Sequence, residues 1–175
     1  MQLLRETKWI KLFLLLKMKA ASIKEIKSEL ETLPPSKLLE ICLRMTKFKK
    51  DNKELLSYLL FEEQDEEEYI NNIKQEVETL FLDLNTKNLY IAKKNIRKII
   101  RIANKFIKYS GIKTTEISII IYLINKINLS KLPLDKSAAL ANIYAALIKK
   151  ANNAIDTLHE DLQYDYKKEL SESIK

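Results

Sequence analysis

Gly111 is the only glycine among 175 residues, and this scarcity restricts the fold more than any other feature of the sequence. Tight β-hairpins rely on Asn-Gly or Asp-Gly turns, and neither pair occurs here. Apolar residues recur at spacings of three and four, which is the periodicity of helices. We therefore predict an all-α protein with about seven or eight helices in antiparallel hairpins, built either as a compact helical bundle or as a short α-solenoid.

The length of the chain is typical of one domain. We expect a single all-helical domain over residues 18–175, because the sequence after Met18 is suited to begin the folded part. Residues 1–17 would then be an amino-terminal extension, helical if it is native. Over about residues 22–130, the helix lengths and joints look similar to HEAT-type helical pairs. This resemblance implies an architecture and transfers no functional residues.

Capping residues predict where several helices begin and end. Ser22 and Glu25 have the spacing of a capping box. Thr86 and Gly111 would bound a helix over about 86–109, and Thr114 or Thr115 would begin an apolar helix that lies in the interior.

The carboxy-terminal helix is predicted over about residues 136–169, with Asp135 as its amino-terminal cap. One side of this helix carries an apolar seam that approaches a heptad pattern and could pair two copies of the chain. The seam consists of Leu140, Tyr144, Leu147, Ala151, Ala154 and Leu158.

The helix over 86–109 separates two chemistries onto opposite faces. At 100° per residue, its apolar residues fall within an arc of roughly 120°, and six cations fall within an opposing arc of roughly 100°. These cations, which we call the basic stripe, extend about 21 Å along the helix axis. The stripe consists of Lys94, Arg97, Lys98, Arg101, Lys105 and Lys108, within a basic face over about residues 93–108.

Charge is strongly segregated along the chain. The total of +7 combines +7 over residues 1–50, −9 over 51–86, +10 over 87–136 and −1 over 137–175. No carboxylate lies between Asp83 and Glu116. The basic stripe could therefore bind an anionic ligand such as nucleic acid. Alternatively, the acids of residues 62–68, here called the acidic segment, could neutralise it within the molecule.

No residue set in the sequence indicates catalysis, a metal or a cofactor. His159 is the only histidine and Cys42 the only cysteine, so zinc lacks the usual partners. We expect Cys42 to be buried and inert. The acidic segment lacks the glycine turn of calcium loops, and it suits a helix amino terminus better. One glycine also excludes phosphate-cradling loops.

The sequence gives no sign of a membrane segment. Its longest apolar run, Leu12 to Leu16, is too short to span a bilayer. A single cysteine rules out an intramolecular disulfide and fits a reducing compartment. We therefore predict a cytoplasmic protein without membrane contact.

These features predict a non-enzymatic helical adaptor that presents a surface to a protein partner, including itself. The alternative is a nucleic-acid-binding helical protein whose basic face contacts phosphates without reading sequence. A weaker third hypothesis is an accessory subunit whose site forms only in a complex.

Overall fold

A computed structural model describes residues 20–174, which are helical apart from short connections. These residues contain eight α-helices and no strand, so the all-α prediction is confirmed. A π-helical turn, Tyr58–Glu62, follows the third helix, and a 3-10 turn, Leu134–Lys136, precedes the seventh. The helices are α1 (Ile23–Thr32), α2 (Pro35–Phe48), α3 (Lys50–Ser57), α4 (Glu66–Leu82), α5 (Leu89–Ser110), α6 (Lys113–Leu129), α7 (Ala138–Ile155) and α8 (Glu160–Ile174).

The chain divides by its internal contacts into two units, residues 1–50 and 51–175. The prediction of one domain over 18–175 stays a prediction, and the extension over 1–17 lies outside the described residues. In the first unit, α1 begins with the predicted capping box. The Ser22 hydroxyl accepts a hydrogen bond from the Glu25 amide at 3.3 Å, and the Glu25 carboxylate accepts one from the Ser22 amide at 2.7 Å.

Helix α2 is more exposed to solvent than its sequence predicts. None of its residues is buried, and Cys42 is exposed, so the prediction of a buried thiol is wrong. The helical period does group Cys42 with apolar neighbours.

The second unit is organised around α6. Eight of its residues are buried, and it packs against α4, α5, α7 and α8. The prediction that this apolar helix lies in the interior is confirmed. The packing of these five helices is consistent with a helical bundle, and a HEAT-type repeat stays a prediction.

Helix α5 begins later than predicted. Asn88, and not Thr86, is its amino-terminal cap, because the Asn88 side chain accepts hydrogen bonds from the amides of Tyr90 and Ile91 at 3.0 and 3.1 Å. The Asn85 side chain accepts hydrogen bonds from the amides of Lys87 and Asn88 at 3.0 and 3.2 Å, and these bonds hold the residues before α5 in a turn. At the other end Gly111 adopts φ 67°, the left-handed conformation that the sequence predicts for it.

Neither Thr114 nor Thr115 caps α6. The helix already begins at Lys113, and Ile112 precedes it without a side-chain capping bond. Thr115 is fully buried, and its hydroxyl donates to the Glu66 carboxylate. The Thr115 hydroxyl, which the local sequence predicts as a helix cap, therefore binds a carboxylate 49 residues away.

The predicted helix over 136–169 is two helices. Helix α7 ends at Ile155, and α8 begins at Glu160. At the break, the Thr157 hydroxyl donates to the Ala154 carbonyl and the Gln163 amide group donates to the Leu158 carbonyl. A continuous helix of this length would extend about 50 Å, whereas the break lets α8 fold back against α6 and α7.

The start of α7 also differs from the predicted start at Asp135. Asp135 lies in the 3-10 turn, and the Ser137 hydroxyl accepts the capping hydrogen bond from the Leu140 amide. The apolar seam of α7 is used within the unit, because Leu140, Leu147, Ala151 and Ala154 are buried there. Tyr144 and Leu158 are only half-buried, and pairing of two copies through the seam stays a prediction.

In the part of the chain that the structure describes, no helix is both long enough and apolar enough to cross a membrane.

Candidate anion-binding groove

Helix α5 presents its basic stripe to solvent because its other face is anchored in the core. Ala92, Ile96, Ile99, Ala103 and Ile107 are all buried on that face. Their spacing of three and four residues keeps one side of the helix against its neighbours. The predicted separation of apolar and cationic faces is therefore present in the structure.

Five of the six stripe cations are exposed, and none of the five forms an ion pair with a described residue. One of them, Lys94, places its ammonium 4.7 Å from the centre of the Tyr90 ring, a favourable cation–π distance. The exposed members are Lys94, Arg97, Lys98, Arg101 and Lys108.

Lys105 differs from the rest of the stripe because it already has an anionic partner. It is half-buried, and its ammonium lies 2.5 Å from Oε2 of Glu54. The Tyr109 hydroxyl donates to the same oxygen at 3.0 Å. Burial and this hydrogen bond raise the pKa of Tyr109, so the phenol stays protonated at neutral pH. Glu54 therefore fixes the position of Lys105 and offsets its charge, so Lys105 contributes less to ligand binding than the exposed cations do.

The acidic segment forms no ion pairs with the stripe in the described residues. Asp65 caps α4 by accepting from the Glu68 amide at 2.9 Å. Glu66 accepts hydrogen bonds from Tyr58 at 2.9 Å and Ser110 at 2.5 Å, besides Thr115. The acidic segment thus forms the start of α4, and its Glu66 accepts hydrogen bonds from other parts of the same unit.

A groove of about 910 Å³ lies between α5, from Arg97 to Tyr109, and α7. Arg97, Arg101 and Lys108 line it with exposed charge, and Asp51 is the one acidic lining residue in the described part of the chain. Both helices also contribute apolar side chains, so the groove is more than a charged surface. The apolar lining includes Ile100 and Ile102 from α5 and Ile143, Ala146 and Leu147 from α7.

Lys150 also lines the groove, and sequence reasoning missed it. Its ammonium lies 2.9 Å from Oδ1 of Asn104 and 3.0 Å from Oε1 of Glu116, so it connects α5, α6 and α7. Glu116 also pairs with Lys113 at 2.8 Å. Lys150 lies 42 residues beyond the stripe, and no local pattern relates it to α5. Only helix packing brings it there.

Glu116 has a lowered pKa, and this predicts acid sensitivity. Burial opposes its ionisation, but hydrogen bonds from Lys113 and Lys150 outweigh burial and lower the pKa below 4.5. A carboxylate with a lowered folded-state pKa stabilises the fold above its unfolded pKa, and that contribution disappears as the pH falls through the folded-state value. We expect Glu116→Gln to cost about 1–2 kcal/mol of unfolding free energy at pH 7.

The measurement is urea unfolding of wild type and Glu116→Gln at several pH values between 7 and 3. The difference between the two proteins should shrink below pH 4.5. Glu160→Gln, at an exposed carboxylate with no ion pair to a described residue, serves as the control. A difference that stays constant down to pH 3 would contradict this assignment.

The other candidate residues are not brought together. His159 is exposed and lies 3.4 Å from Asp161, and Cys42 is exposed on α2. Within the described residues, no group of three or more His, Cys, Asp or Glu side chains could hold a metal ion.

Comparison of the chain with protein-family models, with curated proteins and with solved structures gives no match. The groove between α5 and α7 is therefore interpreted from its own chemistry. It combines an apolar lining with three cations, Arg97, Arg101 and Lys108, that pair with no carboxylate among residues 20–174, which suits an anionic ligand that also has an apolar part.

Proposed function

We propose that this protein is a non-enzymatic binding protein whose α5–α7 groove and basic stripe hold the phosphate backbone of a nucleic acid. The observation that carries this proposal is the set of five exposed stripe cations without an ionic partner among the described residues. An ordinary solvated helix mixes both signs of charge, whereas no carboxylate lies between Asp83 and Glu116.

The chemistry of the stripe suits phosphate more than a single small anion. Arg97 and Arg101 are one helical turn apart, and Lys108 continues the row along about 21 Å of stripe. Guanidinium groups bind phosphate oxygens through paired hydrogen bonds, and a row of them can follow a polyanion. Contacts of this kind position a nucleic acid without reading its sequence. A cytoplasmic location belongs to the same proposal, since the chain has one cysteine and that thiol is exposed.

The test is a titration with fluorescent DNA and RNA oligonucleotides at 50 and 200 mM salt. If the five exposed cations contact phosphates, log affinity should fall with log salt with a slope of about −4.5 for duplex and about −3.5 for single strands. Arg97→Glu/Arg101→Glu should reduce both the affinity and the slope, because two contacts are replaced by repulsion.

The matched control is Lys136→Glu/Lys168→Glu. It changes the net charge equally at two exposed lysines that do not line the groove. Equal weakening by both double variants would mean a non-specific charge effect, and absence of binding at 50 mM salt would refute the proposal.

An adaptor that binds a protein partner is the second candidate, and one observation favours it. Leu59, Leu60 and Phe61, in the π-helical turn and next to the acidic segment, are 45, 58 and 79% exposed. Exposed apolar side chains in a row suit a protein contact. If the protein self-associates through this turn, Leu60→Glu/Phe61→Glu should convert a dimer to a monomer in size-exclusion chromatography with light scattering. A wild-type monomer would exclude self-association.

A further inference from the structure

We infer that the α5–α7 groove selects single-stranded over double-stranded nucleic acid, with phosphates on its cations and bases against its apolar lining. This inference rests on the proposed function and names the class of ligand for the same site. It follows from the composition of the groove, because phosphate binding alone requires no apolar surface.

The apolar lining comes from two helices and faces the same space as the cations. Ile100 and Ile143 are half-buried, Leu147 is buried, and Ala146 is exposed. Arg97 and Arg101 are exposed within the same lining. A ligand that satisfies only the charged groups would leave the apolar surface in contact with water, so a ligand with planar apolar parts gains more here.

Tyr109 gives one end of the groove a fixed aromatic ring. Its hydroxyl is held by Glu54 at 3.0 Å, and its ring lies 6.2 Å from the Phe106 ring in an edge-to-face arrangement. The ring is thus oriented before any ligand binds. Bases stack on aromatic side chains without regard to their sequence.

A duplex cannot use this lining. Its bases are paired and stacked inside a convex cylinder, so its surface offers phosphates, sugars and base edges but not the flat faces of the bases. A single strand can turn its bases away from its backbone into a groove of about 910 Å³. The basic stripe would attract both duplexes and single strands, whereas the apolar lining would favour single strands.

The experiment compares three probes of equal length by fluorescence anisotropy: a twelve-nucleotide deoxythymidine strand, a twelve-base-pair duplex, and a strand of abasic sites. The abasic strand keeps the phosphates and flexibility but has no bases. We expect the deoxythymidine strand to bind at least about fivefold more tightly than the abasic strand, because base stacking contributes to affinity for each base bound.

The variant for this test is Ala146→Leu, which fills part of the groove without changing its charge. Ala145→Leu is its matched control, because Ala145 is an exposed alanine on the same helix that does not line the groove. Ala146→Leu should abolish the preference for the deoxythymidine strand over the abasic strand, and Ala145→Leu should preserve it.

The outcomes separate this inference from the proposed function. Equal, salt-dependent affinity for all three probes would overturn the inference and leave phosphate binding intact. No binding of any probe would overturn both. Displacement of the deoxythymidine strand by polyglutamate at equal charge concentration would also overturn the inference, since the groove would then accept an acidic polypeptide.

Discussion

Ile124→Ala is expected to lower the free energy of unfolding of this protein by about 2–5 kcal/mol. Ile124 is fully buried near the middle of α6, the helix that contacts the other four long helices of its unit. Removing three carbons there loses apolar burial and leaves a cavity, since packed helices relax only partly around a deletion. The measurement is chemical denaturation followed by circular dichroism at 222 nm.

Leu129→Ala is the control for the Ile124 prediction. It lies on the same helix and removes the same number of carbons, but Leu129 is 65% exposed. We expect it to cost less than about 1 kcal/mol. If both variants lost the same free energy, α6 would not be the centre of the core.

Glu66→Ala is expected to destabilise the protein by about 3 kcal/mol. Its carboxylate accepts hydrogen bonds from the hydroxyls of Tyr58, Ser110 and Thr115, two of which are buried residues. Hydrogen bonds to a charged group contribute about 1.5–3 kcal/mol each, and buried donors left without an acceptor add a desolvation cost. Three elements would lose their common partner: the π-helical turn, the end of α5 and the start of α6.

Glu67→Ala and Glu68→Ala are matched controls for Glu66→Ala, because both carboxylates belong to the same helical turn and are exposed. Thermal unfolding should show a large decrease in melting temperature for Glu66→Ala alone. Similar decreases in all three variants would mean that Glu66 acts only through the helix dipole of α4.

Local pattern was enough to predict much of the fold. The apolar period identified α6 as interior, and the two faces of α5 lie where the sequence places them. These predictions succeeded because burial of an amphipathic helix depends mainly on its own residues. The sole glycine likewise ends α5, since few other residues adopt φ 67° without strain.

Pairing between distant segments could not be predicted in the same way. The residues around Thr115 predict that it caps a helix. Its hydroxyl instead donates to Glu66, which is 49 residues away in the sequence and close only in the folded protein. The division of the helix over 136–169 likewise depends on the surface that α8 finds on α6 and α7. The groove needs α7 beside α5, so the sequence revealed its cations on α5 but not its apolar lining or Lys150.

If the groove binds an anion as we propose, the ion pair between Glu116 and Lys150 favours stability at the expense of ligand affinity. The carboxylate stabilises the contact of three helices, but it also lowers the positive potential that a ligand meets in the groove. A variant such as Glu116→Gln would release Lys150 toward the ligand while weakening the fold. Selection for tighter anion binding at this site would therefore be expected to yield proteins that melt at lower temperature, a stability–activity trade-off contained in one ion pair.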